Sequence, residues 1–252
     1  MPNFNHCSAL VLASPEIRFQ VDSETHEPLE VEIKQVRDTN SMVEEFMLLA
    51  NTTVAEHIAQ EFPECAMLRR HPEPPPSNFE PLIKAASYQG FEIKTDSGLE
   101  LADSLDKCVK AENPYFNTMI RILTTRCMMQ AVYFISGTVQ KDQFFHYGLA
   151  APIYTHFTSP IRRWVCVHCF IYLLLIIITK FLARYSDIIV HRLLAASIGA
   201  DSTYAQLLEK KSNEELCQNL NYRHKMAQYA GRASVALNTH LFFKGKTQDE
   251  KG

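Results

Sequence analysis

Apolar residues return at helical spacing through most of this chain, and that period constrains the fold more than any other feature. Val43, Phe46, Met47, Ala50, Val54 and Ile58 fall on one helical face. Ser41-Met-Val-Glu44 ahead of them reads as a capping box, and Pro63 sets the far limit. Ser77-Asn-Phe-Glu80 is a second capping box and predicts a short helix ending near Gly90. Leu99–Lys110 predicts a third helix. Asn113-Pro114 puts a cap before a proline at the first helical position. The helix predicted there, Tyr115–Ile135, is apolar on most sides and so should be buried, with Gly137 as its C-cap. Asn213–Phe243 predicts a long amphipathic helix or a pair of helices.

Strand signals are few. Ala9–Val21 and Leu29–Val36 are rich in Val, Ile and Phe and read as two strands joined around Asp22–Glu27. The helical period fails across Phe144–Phe157, which reads as strand and loop, with a third strand near Tyr147–Thr155. His71–Ser77, with four prolines, is a stiff loop. Gly is sparse, at 8 of 252 residues, which argues against a turn-rich all-β fold. The fold class is therefore α/β, mostly α with a few N-terminal and central strands. Residues 1–40 carry strands, 41–163 are mainly helical, 164–184 form an apolar segment, 185–246 are helical again, and 247–252 are a tail.

An apolar content of 46% with 21% charged residues is ordinary for a globular chain and excludes a disordered one. The seven cysteines are odd in number and irregular in spacing, and the start does not read as a secretory leader, so reduced thiols in an intracellular protein are expected. The net charge of −3 hides an asymmetry. Residues 1–112 carry 9 Lys+Arg against 20 Asp+Glu, whereas residues 113–252 carry 16 against 8. A basic half fits an anionic partner, and on charge alone it fits a solvated face as well.

One block carries chemistry: His146-Tyr-Gly-Leu-Ala150, then Tyr154-Thr-His-Phe-Thr-Ser-Pro-Ile-Arg-Arg163. Ser159 caps a helix and Pro160 opens it, which puts Arg162 and Arg163 in the first turn. Cations are disfavoured at that end of the helix dipole unless an anion sits among them. Free backbone N–H groups, the hydroxyls of Thr158 and Ser159 and two guanidinium forks together suit a phosphate. Tyr154, His156 and Phe157 offer flat faces for unstacked bases. The bland alternative pairs the arginines with carboxylates elsewhere and puts the aromatics in the core.

Tyr154–Arg163, resumed by Arg184-Tyr-Ser-Asp-Ile-Ile-Val-His-Arg-Leu-Leu194, resembles the signature of the RNB domain, the catalytic domain of RNase II/RNase R-type exoribonucleases. Met42–Asn51, Arg126–Phe134, His146–Ala150 and Asn219–Arg232 also look like this family, closest to its branch in the eukaryotic RNA exosome. The resemblance implies processive 3′→5′ hydrolysis of single-stranded RNA, Mg2+ ions held by an aspartate cluster, exosome core subunits as partners, and a place in nucleus and cytoplasm. It assigns Arg162 to the scissile phosphate. Tyr154, His156, Thr158, Ser159, Arg163 and Arg184 are the further RNA-binding candidates.

The sequence departs from the family twice. The family's aspartate cluster lies upstream of the part matched here, so no metal ligand is assigned, and Asp103 with Asp106 reads as a solvated face. The flanking oligonucleotide-binding barrels are missing too, so the chain reads as a fragment, and an inactive one. The second departure is Trp164–Arg184. Removing these 21 residues restores an unbroken Ser-Pro-Ile-Arg-Arg-Tyr-Ser-Asp, and Arg163 and Arg184 are equivalent in that join. A translated intron is the preferred explanation. Trp164–Ile178 falls short of the roughly 20 apolar residues that a spanning helix needs, so a membrane anchor is the weaker reading. Cys166-Val-His-Cys169 has the spacing of a metal half-site but stands by itself. Besides the nuclease fragment, two other functions stay open: a non-catalytic RNA-binding or assembly module, and a membrane-anchored protein.

Overall fold

The computed structural model describes residues 10, 12, 17–22, 24, 28–33, 38–158, 185–203 and 205–244. The apolar segment, with Cys166 and Cys169, lies outside the described residues. Strand β1 (Ile17–Val21) pairs antiparallel with β2 (Pro28–Ile33) in the register Ile17↔Ile33, Phe19↔Val31. This is the hairpin that the two β-rich runs predict. Helix α1 (Asp38–Glu61) starts three residues before the expected cap and ends two before Pro63. Its two ends differ. Ala55 and Ile58 are fully buried, whereas Val43 and Phe46 are exposed.

Strand β3 (Met67–Arg70) pairs antiparallel with β4 (Val132–Ile135), Arg69 facing Tyr133 and Leu68 facing Phe134. Between them run α2 (Glu80–Ser87), α3 (Gly98–Lys107) and α4 (Phe116–Cys127). Ser97 caps α3 by accepting from the Glu100 N–H at 3.2 Å. The Asn113 side chain accepts from the Tyr115 N–H at 3.0 Å and so opens α4 as a local turn. After the signature come α5 (Ser186–Ser197), the single turn α6 (Ala205–Leu208) and α7 (Lys210–Phe243). Helix α7 is continuous over 34 residues, about 51 Å at 1.5 Å per residue.

Three expectations need correction. The helix predicted over Tyr115–Ile135 ends at Cys127, because Met128 is extended and Val132-Tyr-Phe-Ile135 is strand. Aromatic and β-branched neighbours favour that change. Gly137 is therefore not a helix cap. It lies in a 3-10 turn against Glu64, whose carbonyl oxygen would stand 2.7 Å from a Cβ there. The third strand expected near Tyr147–Thr155 is a 3-10 turn at Tyr147–Leu149 followed by irregular chain. Ala150 takes a left-handed φ of 50° in that turn, and the chain doubles back so that the His146 N–H donates to the Ala151 carbonyl at 2.8 Å.

Two apolar cores result. The first joins α1, β3, β4, α5 and the start of α7 through Ile58, Leu68, Ile135, Val190, Leu193 and Leu220. The second joins α2, α3 and α4 through Phe79, Leu82, Leu101, Leu105, Phe116 and Ile120. Asn221 of α7 clasps β4: it accepts from the Tyr133 N–H at 2.7 Å and donates to the Tyr133 carbonyl at 2.8 Å. Among the described residues no helix is long and apolar enough to cross a membrane.

Candidate nucleic-acid interface

The loop entering the signature is held by one side chain of α1. Asn51 is 2% exposed. Its Oδ1 accepts from the N–H groups of Phe157 at 2.8 Å and Thr158 at 3.1 Å. Its Nδ2 donates to the Tyr154 hydroxyl at 3.0 Å and to Thr158 Oγ1 at 3.3 Å. On the other side, the Arg69 N–H of β3 donates to the Tyr154 carbonyl at 2.8 Å, and the Thr155 hydroxyl donates to the Met67 carbonyl at 2.7 Å. Residues 154–158 are thereby fixed against both α1 and β3.

The aromatics of this loop pack on one another instead of standing open. Tyr154 is 7% exposed, with ring edges toward His146 and His156. Burial pushes its phenol up and keeps it neutral. Tyr154 thus holds the loop and offers no open face to a base, because the hydroxyl needs Asn51 and the ring fills the core. His156 is half-buried. Arg69 Nη1 lies 2.7 Å from its Nε2 and 3.2 Å from its Nδ1, and Tyr133 Oη lies 2.6 Å from Nδ1. Phe157 stacks on His191 of α5 at 4.2 Å and 20°, and His191 Nε2 donates to the Phe157 carbonyl at 2.9 Å. Asp187, fully buried, lies near enough to Tyr154 to act on its phenol electrostatically. The two parts of the signature therefore meet in space. Beside Tyr154, a groove of about 190 Å³ runs between α1 and the turn at Leu149–Pro152.

A second polar cluster supports the loop from below. The Gly148 N–H donates to His71 Nδ1 at 3.0 Å, so the neutral His71 carries its proton on Nε2 and donates to the Met129 carbonyl at 2.8 Å. His146 lies edge-on to it, with centroids 5.3 Å apart. Burial, then the neighbouring His71 and Arg69 charges, push His146 down to about 3. Burial also lowers His71.

Of the residues singled out from the sequence, the structure places Tyr154, His156 and Thr158 together. Ser159, Arg162, Arg163 and Arg184 lie outside the described residues. Asn51, Arg69, Tyr133 and His191 were not foreseen as site residues. The described residues do not fit a catalytic metal. Asp106 pairs with Arg121 and Asp103 is exposed, both on α3, and among the described residues no three His, Cys, Asp or Glu side chains cluster to hold an ion.

A comparison with known families matches residues 3–176 to the RNB domain. The chain belongs to the RNB-domain family. It is 58% identical over 238 residues to the Mus musculus exosome complex exonuclease RRP44, covering 94% of this chain but 22% of that protein. The chain thus spans about a fifth of such a relative. Among solved structures, Mycoplasma genitalium RNase R in complex with ribose-methylated single-stranded RNA superposes with a TM-score of 0.69, covering 93% of this chain and 33% of the other. At 22% identity that likeness shows the fold alone. Yeast Ssd1, described as a pseudonuclease, gives a TM-score of 0.56 at 31% identity, covering 74% of this chain and 20% of the other. RNB-domain exonucleases use divalent metal ions.

Proposed function

We propose that this chain is part of an exosome-type 3′→5′ exoribonuclease that hydrolyses single-stranded RNA, and that it supplies the phosphate-contacting element. The identity to an exosome exonuclease along nearly the whole chain carries this reading. The Asn51 clamp supports it, because that clamp fixes residues 157 and 158 immediately before Ser159-Pro160-Ile-Arg162-Arg163. In this reading Thr158, Ser159, Arg162 and one of Arg163 or Arg184 contact RNA phosphates. Arg162 faces the scissile one. Tyr154 and His156 shape the loop. Charge stabilisation at the transferring phosphate is what a preorganised arginine contributes. Mg2+ and its ligands belong to the rest of such a protein, as do contacts with exosome core subunits in nucleus and cytoplasm.

Two measurements test this. The chain itself should bind single-stranded RNA in a salt-dependent way and release no nucleoside monophosphates. A longer protein restored to the length of its relatives and lacking Trp164–Arg184 should release them, and Arg162→Ala in it should lower turnover far more than affinity. Equal losses would reduce Arg162 to RNA positioning. We treat Trp164–Arg184 as an insertion. Its removal should raise soluble yield, and an unchanged yield and activity would make it a tolerated segment. The likeness to a pseudonuclease favours a second reading, a non-catalytic RNA-binding module. An inactive restored protein that still binds RNA would establish it.

A further inference from the structure

Arg69 is a cation that meets no carboxylate among the described residues. Among the described residues, Arg121 is paired with Asp106 and Lys210 with Glu64, but no acidic side chain meets Arg69. Its described neighbours are the rings of Tyr133 and His156. The guanidinium carbon stands 5.2 Å from the centre of the Tyr133 ring, and Nη1 donates to His156. Arg69 Nε, like Arg70 Nε, is buried and has no hydrogen-bond partner among the described residues, so position decides between the two arginines. A half-buried guanidinium that meets no carboxylate among the described residues is costly to hold, and an anion that meets the guanidinium lowers that cost.

The position of Arg69 says which anion. Its backbone N–H is bonded to Tyr154, so the side chain is rooted one strand from the loop that leads into the signature. Arg70, the next residue, stands over Phe134 and donates to Gln143 at 3.1 Å instead. Strand alternation thus sends one arginine to the signature loop and the other away from it.

We propose that Arg69 is a further phosphate-binding residue of this site, taking a backbone phosphate of the same single-stranded RNA while Tyr133 and His156 hold its fork in place. The inference rests on the RNA-binding reading above and adds a cation from β3 to it.

The test is fluorescence anisotropy of a labelled single-stranded RNA oligonucleotide with the full chain, across a series of salt concentrations. Losing one phosphate contact should reduce the slope of log K against log salt by about 0.7 for a single strand. Arg69→Gln should show that reduction, Arg69→Lys should keep the wild-type slope, and Arg70→Gln should keep it too. A structural role for Arg69 would lower the melting temperature of Arg69→Gln and leave the slope alone. That result overturns the proposal while RNA binding itself stands. If the wild-type chain binds no RNA, the functional reading falls and this inference with it. A measurement on the unmutated chain guards against misfolded variants: an arginine-selective dicarbonyl reagent, read by mass spectrometry. Bound RNA should shield Arg69 from the reagent, and full modification of Arg69 in the RNA-bound chain would also overturn the proposal.

Discussion

The two cores differ in how they satisfy their buried polar groups. In the helical core of α2, α3 and α4 the buried hydroxyls donate locally. Ser104 donates to the Glu100 carbonyl and Thr124 to the Ile120 carbonyl, each four residues back. In the core beneath the signature loop the bonds that hold the loop are distant. Asn51 reaches residues 106 and 107 positions away, and Thr155 reaches Met67 across 88. A local bond satisfies a hydroxyl and specifies nothing about the fold. A distant bond to a buried amide fixes one piece of chain against another, and here the piece is the one that carries the phosphate-contacting residues.

The comparison can be broken by substitution. Leu101→Ala, fully buried in the helical core, should cost about 2–5 kcal/mol by loss of burial and by the cavity left behind. Denaturant unfolding measures the cost, and RNA affinity of the still-folded protein should not change. Acid should strike the seam between the cores. His146 in the folded chain sits far below the ordinary histidine value. The unfolded chain therefore takes up protons first as pH falls below about 6.5, and stability present at neutral pH is lost progressively down toward the folded value of about 3. By pH 4 the loss from this residue reaches at most about 3 kcal/mol, with His71 adding in the same direction. His146→Phe should flatten the pH dependence of the melting temperature, and an unaltered curve would remove His146 from the account.

Asn51→Ala should cost about 1–3 kcal/mol, since the Phe157 and Thr158 N–H groups lose their acceptor. Unlike Leu101→Ala, it should also weaken RNA binding by the folded protein. A loss confined to stability would mean that the clamp does not position the loop for RNA. Thr124→Val is the smallest change, under about 1 kcal/mol, because the Ile120 carbonyl keeps its own helical bond. A large effect there would show that the helical core depends on side-chain polarity after all.

The helices were legible because their signals are local. Asn113 makes a local turn just before α4, near where the sequence put a cap. Ser41, however, lies inside α1, and Ser77 precedes a helix whose N-cap, Phe79, makes no side-chain bond, so neither expected capping box forms. Asn213–Phe243 is a single rod, one of the two expected forms. The strands β3 and β4 were hidden for a physical reason. Each has four residues, too few to show a period of two, and Val132-Tyr-Phe-Ile135 continues an apolar run that a helix could equally hold. The aromatic and β-branched content of that run was the available signal. The site was half legible. Tyr154, His156 and Thr158 lie in a motif that reads along the chain, whereas Asn51 and Arg69 join them only through folding. Nothing about Asn51 within its own helix marks it as the acceptor for a loop more than a hundred residues away.

Asn221 has a consequence of a different kind. Its side-chain amide meets the N–H and carbonyl of Tyr133 as a neighbouring strand's peptide would, on the side of β4 away from β3. The main-chain groups of a sheet's outermost strand are a template for pairing with another molecule. At Tyr133 that template is already occupied by α7. On the other side of the sheet, the Arg69 N–H is occupied by Tyr154. A two-stranded sheet this small is therefore sealed at the same level on both flanks, and loss of the Asn221 clasp would reveal itself as self-association between chains before any loss of helix.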